Sequence, residues 1–288
     1  FSPVWLIGIL SAIDRGFLNG NQKFALLAVV SIGEAIAKFV FTIAFVEFNL
    51  PRFVYLATPM SMAITLLVGW SAAKSLKDSS QKLDDQTVFY FPKRFLATSF
   101  LVRLSSVAFL SLDVILAKIY LSSAAAGQYA LISLVGKTVF FLGSVFSQFI
   151  TPVVSRAEGA KTNPRRVFYQ LLAVSTFSSL SGFLLFGVFG GYTAPFLFGS
   201  KVYPVLGFLL PYSLAMVVFG VASNIVNYHQ IKRHYLFPVL GFAVAVIQLI
   251  MTAYFHSNVS TFVFLMLALG LIYLFLTVFT HLFYQQIV

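Results

Sequence analysis

The sequence predicts an all-α, polytopic transmembrane helical bundle, and three observations carry that prediction. Hydrophobic runs of about twenty residues or more fill nearly the whole chain, and about twenty apolar residues, rising about 1.5 Å each, cross a hydrocarbon core of about 30 Å. Lys and Arg collect in every second gap between those runs. The composition is 59% hydrophobic, 17% aromatic and 9% charged, with mean hydropathy +0.93. A soluble domain carries about a quarter charged residues. Within lipid only a helix satisfies its own backbone polar groups, and barrel strands are too short to give such runs.

The runs cover 24–46, 53–75, 95–121, 126–154, 167–190, 204–228, 235–255 and 259–284, after a partial run at 4–13. One set of gaps holds Arg15 and Lys23, then Lys74, Lys77, Lys82, Lys93 and Arg94, then Arg156, Lys161, Arg165 and Arg166, then Lys232 and Arg233. The alternate set holds only Arg52, Lys118 and Lys201. Cytoplasmic loops carry the excess of Lys and Arg, so the first set and the C-terminus are expected in the cytoplasm. The same asymmetry accounts for the net charge of +11 without nucleic acid, because the charge is spread over four loops. The expected location is the cell (inner or plasma) membrane, multi-pass. Membrane lipids are partners there, some through anionic headgroups against the basic loops. The chain begins at Phe1 inside a short apolar run without a basic leader, which suggests a protein whose front is missing.

The longest hydrophilic stretch, 74–94, reads as a linker between two helical bundles. The expected organisation is the end of an N-terminal bundle over 1–75, a cytoplasmic linker over 76–94, and a complete six-helix bundle over 95–288. The two bundles would be pseudo-symmetric. A weak echo fits that picture: Asn19 and Gln22 recur as Asn227 and Gln230, both pairs at a turn followed by basic residues. Pro59 and Pro211 fall within runs and are expected to kink them. Ser175, Ser178, Ser179, Ser181 and Gly182 in run 167–190 suit close helix packing.

Five charges lie inside runs: Glu34, Lys38, Arg103, Asp113 and Lys137. A charge at the bilayer centre costs about 2.5–3.5 kcal/mol on insertion scales, so it faces a bundle interior or water. Glu34 and Lys38 are four apart on one helix and can pair. Arg103 and Asp113 are ten apart, about 80° around the helix, and cannot touch. Asp113 can pair with Lys137 on the next helix. Taken together, three basic groups and two acids suit a central aqueous cavity that holds an anionic headgroup such as phosphate or pyrophosphate. Carboxylates there would instead couple transport to protons or sodium ions. Replacing Arg103 or Lys137 by Ala should then abolish transport and leave the protein in the membrane.

The chain has no cysteine, so thiol chemistry and disulfides are excluded. Its four histidines, His229, His234, His256 and His281, all sit at predicted span ends, which disfavours a histidine metal site. No phosphate-binding Gly-rich loop, His-Glu-x-x-His or Gly-x-Ser-x-Gly occurs. No hydrophilic segment is large enough for a nucleotide-binding domain. The expectation is therefore no catalytic residue, no metal and no cofactor.

Asp14-Arg15-Gly16-Phe17-Leu18-Asn19-Gly20, followed by Glu34-Ala35, resembles a stretch of polysaccharide-exporting flippases. Leu112-Asp113-Val114, Ala126-Gly127-Gln128-Tyr129, Gly136-Lys137 and Phe149-Ile150-Thr151-Pro152 resemble the opening of that family's second half, and Phe198-Gly199 matches a further cue. The family is the polysaccharide-biosynthesis branch of the multidrug/oligosaccharidyl-lipid/polysaccharide exporter superfamily. The resemblance implies two pseudo-symmetric bundles of six or more helices, with these spans as the fifth to twelfth. It implies a monomeric, non-enzymatic flippase that moves a lipid-linked oligosaccharide across the cytoplasmic membrane by alternating access. Cavity charges would map onto Glu34, Lys38, Arg103, Asp113 and Lys137, although Arg103 belongs to none of the quoted motifs. An ion-coupled multidrug antiporter of the same superfamily would need a cavity dominated by acids. A membrane glycosyltransferase or ligase would need a large outer loop with catalytic acids, and the outer gaps here are short. A non-transporting scaffold of the same fold is the remaining alternative.

Overall fold

A computed structural model describes residues 2–79, 92–160 and 162–287, and every regular element among them is helical. Eight helical stretches among these residues are long and apolar enough to cross a membrane. Their number, length and composition are those of a multi-pass membrane protein. The chain divides into two compact units, Phe1–Tyr90 and Phe91–Val288. Most of the 76–94 linker falls outside the described residues, as do Lys82 and Lys161.

The first unit contains α1 (Ser2–Gly20), α2 (Phe24–Glu47) and α3 (Ala57–Ser79), with a 3₁₀ segment at Pro51–Leu56. Helix α1 outlasts the apolar run at 4–13 and carries Asp14 and Arg15 on its last turns. It ends in a Schellman turn: Gln22 is left-handed (φ 56°), its N–H donates to the Asn19 carbonyl, and the Lys23 N–H donates to Leu18. Helix α2 ends the same way, with Asn49 at φ 55° and the Leu50 N–H bonded to Phe45. Pro59 does not kink a span. It occupies the first turn of α3, next to the 3₁₀ segment, where proline is tolerated.

The second unit contains α4 (Lys93–Tyr120), α5 (Ser123–Ser147), α6 (Ile150–Gly159), α7 (Pro164–Phe183), α8 (Gly190–Phe198), α9 (Leu206–Ile231), α10 (Leu236–Tyr254) and α11 (Val259–Ile287). Two apolar runs are less regular than hydropathy suggests. Run 126–154 is broken at Gln148 and Phe149, between α5 and α6. Run 167–190 passes into a π-helical turn at Leu184–Val188, and the Thr193 hydroxyl donates to the Leu185 carbonyl in that turn at 2.6 Å.

Helix α9 is the axis of this unit and packs against α4, α5, α7, α10 and α11. Its burial all round explains why its apolar residues show no preferred face. Pro211 lies inside it. The α5–α7 contact is built on small residues. A Cβ at Gly143 would sit 1.9 Å from Ser179 Oγ, and one at Gly182 would sit 3.3 Å from the Val139 Cα. Ser175 donates to the Gly143 carbonyl at 3.0 Å and also receives the Asn224 amide from α9 at 3.0 Å. Outward faces are apolar, with Phe177 at 73% and Phe275 at 67% exposure, as lipid-facing helices require.

Candidate functional site

Asp113 on α4 is 1% exposed and is held by three side chains from two other helices. Lys137 Nζ on α5 lies 2.9 Å from its Oδ1. The Tyr129 hydroxyl on α5 donates to Oδ2 at 3.0 Å, and the Tyr212 hydroxyl on α9 donates to the same oxygen at 2.6 Å. The Tyr212 oxygen also lies 3.2 Å from Ser133 Oγ. Tyr129 and Tyr212 meet edge to face, with centroids 5.9 Å apart, and Phe262 closes the other edge of Tyr129. Lys137 and Tyr129 are eight residues apart on α5, so both reach toward the same stretch of α4. Tyr212 reaches the acid because its ring lies on Gly136, where there is no side chain.

Of the expectations for Asp113 and Lys137, the ion pair is present among the described residues. The two form an ion pair across adjacent helices. Lys137 is only 9% exposed, and the rings of Tyr129 and Tyr212 pack beside the acid. Three donors satisfy the carboxylate, which offsets the desolvation that an isolated buried charge would suffer. The pair is therefore a packing centre for α4, α5 and α9. The Lys137→Ala expectation changes with it: removal leaves Asp113 buried with a lost partner, so the protein itself is destabilised.

Arg103 lies on an exposed face of α4, apart from that centre. In the first unit Glu34 pairs with Arg15 of α1, not with Lys38 one turn away. Lys38 is exposed on α2. Neither Arg103 nor Lys38 takes part in an ion pair among the described residues. Both acids within predicted runs are thus paired with cations, and two of the three intramembrane cations are not paired with acids.

Three of the four histidines, spread over the sequence, converge at one end of the second unit. His229 hydrogen-bonds both His234 and His281. No group of His, Asp and Glu among the described residues is arranged to hold a metal ion. Sequence reasoning missed this convergence, and it missed Tyr129 and Tyr212, because tyrosines within apolar runs count there only as hydrophobic bulk. The only signal was that each histidine sat at a span end.

No family model, curated protein or solved structure was found to match the chain.

Proposed function

We propose that the chain acts in a membrane exporter that flips a lipid-linked oligosaccharide across the cell membrane by alternating access, with its C-terminus in the cytoplasm. One observation carries this reading. The intramembrane acids Glu34 and Asp113 are neutralised by Arg15 and Lys137, while Arg103 and Lys38 remain exposed cations without ion pairs among the described residues. Cations kept at membrane depth against a cost of about 2.5–3.5 kcal/mol suit an anionic cargo such as a phosphoryl-linked sugar. A lipid-linked cargo keeps its tail in the bilayer, so only the head needs shelter.

Division of the chain into two compact helical units supports the same reading, because alternating access moves one bundle against another. So do the flippase-like motifs around Asp14–Gly20, Leu112–Val114 and Gly136–Lys137. The multidrug-antiporter alternative wants an uncompensated acid for a cationic drug. Neither Glu34 nor Asp113 meets that requirement.

The test is flipping of a fluorescent lipid-linked pyrophosphoryl oligosaccharide in proteoliposomes, alongside complementation of a strain lacking its repeat-unit flippase. Arg103→Ala should lose flipping at unchanged membrane level, and Arg103→Lys should retain part of it. Flipping by Arg103→Ala at the wild-type rate would refute the assignment.

A further inference from the structure

A pocket of about 470 Å³ opens at the end of the second unit where α7 begins and α9 and α11 approach their ends. It is lined by Glu158, Arg165, Tyr228, Lys232 and the three histidines, with Tyr284 beside them. A continuous hydrogen-bonded row runs along it. The Tyr169 oxygen is 2.8 Å from His281 Nε2, His281 Nδ1 is 2.6 Å from His229 Nε2, and His229 Nδ1 is 2.8 Å from His234 Nδ1. The row exists because of how α9 stops. Arg233 is left-handed (φ 61°), its N–H donates to the Gln230 carbonyl at 3.0 Å, and the His234 N–H donates to the His229 carbonyl at 2.9 Å. That Schellman turn folds His234 back over His229.

His229 and His281 each use both ring nitrogens. A neutral imidazole has one N–H and one acceptor, so in the neutral row every bond must point the same way. Adding one proton gives a second complete pattern. His229 as imidazolium donates through Nδ1 to His234 and through Nε2 to His281. His281 then donates through its own Nε2 to the Tyr169 oxygen, and His234 keeps its proton on Nε2. None of these three hydrogen bonds is lost, whereas a second added proton would set two N–H groups of the row against each other. The contacts are too close for a metal between the rings, since two imidazoles on zinc place their nitrogens about 3.3 Å apart.

We infer that Tyr169, His281, His229 and His234 form a one-proton binding site, reached from water through this pocket, and that it is the coupling-ion site of the exporter. The coupling role rests on the proposed export function; the proton binding does not. Burial of His229, at 3% exposure, opposes a charge on it, and three features of its surroundings favour one. It lies in the last turn of α9, at the negative end of the helix dipole. Phe237 is stacked flat on it, with centroids 3.6 Å apart and planes within 2°. Both its nitrogens already have acceptors. The charged groups around the row act in both directions: Glu158 of α6 favours the proton, while Arg165 of α7 and Lys232 at the end of α9 oppose it. The phenols Tyr169, Tyr228 and Tyr284 supply hydrogen-bonding or ring contacts and no charge. Lys232 is itself engaged with Glu158 at 2.9 Å, which tempers both.

The test is nitrogen-15 NMR of histidine-labelled full chain in phosphatidylcholine nanodiscs, titrated with acid. His229, His234 and His281 should shift together at one midpoint, with a total uptake of one proton. His229→Gln should abolish the common midpoint. Tyr169→Phe, which removes only a hydroxyl, should lower it by about one pH unit, a tenfold loss of proton affinity. Three independent titrations, an unmoved midpoint in Tyr169→Phe, or rings that stay neutral to pH 4 would each overturn the site. Flipping driven by an imposed pH gradient should be lost in His229→Gln. Wild-type flipping that ignores the gradient would overturn the coupling role alone. No wild-type flipping at all would overturn the export function and leave the proton site to the NMR result.

Discussion

The ring of Tyr212 rests directly on Gly136: a Cβ built there would lie 2.3 Å from the ring's Cδ1. That contact sets the reach of the Tyr212 hydroxyl to Asp113. Gly136→Ala must push the ring away, which costs overpacking strain and a hydrogen bond to a buried carboxylate. The expected loss is about 1–3 kcal/mol, read as a lowered midpoint in detergent unfolding. Gly127→Ala on the same helix is the control. Nothing lies within 4 Å of its Cβ position, so it should be neutral or slightly stabilising.

Breaking the Asp113–Lys137 pair should cost more than replacing it. Lys137→Met leaves a buried carboxylate without its cation and should destabilise by about 3–5 kcal/mol. Adding Asp113→Asn to that variant removes the orphaned charge and keeps an acceptor for Tyr129 and Tyr212. The double variant should recover most of the lost stability in the same unfolding assay. Equal stability of the single and double variants would refute the pairing.

Burial and the nearby Lys232 ammonium hold the His234 imidazole below its usual proton affinity, with Glu158 opposing them. A lowered value means the unfolded chain binds more protons here than the folded one. Stability from His234 is therefore present above the usual histidine range and declines as pH falls through it. Lys232→Gln removes the opposing cation and frees Glu158, so proton affinity at His234 should rise. The measurement is the NMR midpoint that His234 shares with His229 and His281, in the variant against wild type.

Arg233 sits at φ 61°, where a β-branched side chain is strained and glycine is not. Arg233→Gly should preserve the α9 cap and the NMR signals of the histidine row. Arg233→Ile should destabilise the cap by about 1–3 kcal/mol and separate the His234 resonance from that of His229.

The number of spans and their approximate extent were legible because apolar length alone reports them. Breaks inside apolar stretches were not. The interruption at Gln148 and the π turn at Leu184–Val188 change the hydrogen-bond pattern while hydropathy stays high. Charges were legible as candidates, but their partners were a matter of geometry. Glu34 had Lys38 one turn away in sequence and took Arg15 from another helix. The Asn19–Gln22 and Asn227–Gln230 echo does not superpose on the helix ends, since the left-handed residues are Gln22 and Arg233. His229 and His281 lie 52 residues apart, and only the packing of α9 on α11 brings them together.

Only Leu121 and Ser122 separate α4 from α5. A lone α4 would carry a bare carboxylate into the bilayer, and a lone α5 a bare ammonium. Each would meet a barrier that the other cancels. The two helices should therefore leave the translocon as one hairpin, with the ion pair already closed. Variants that lose either charge would then show their defect during biogenesis, before any cargo is met.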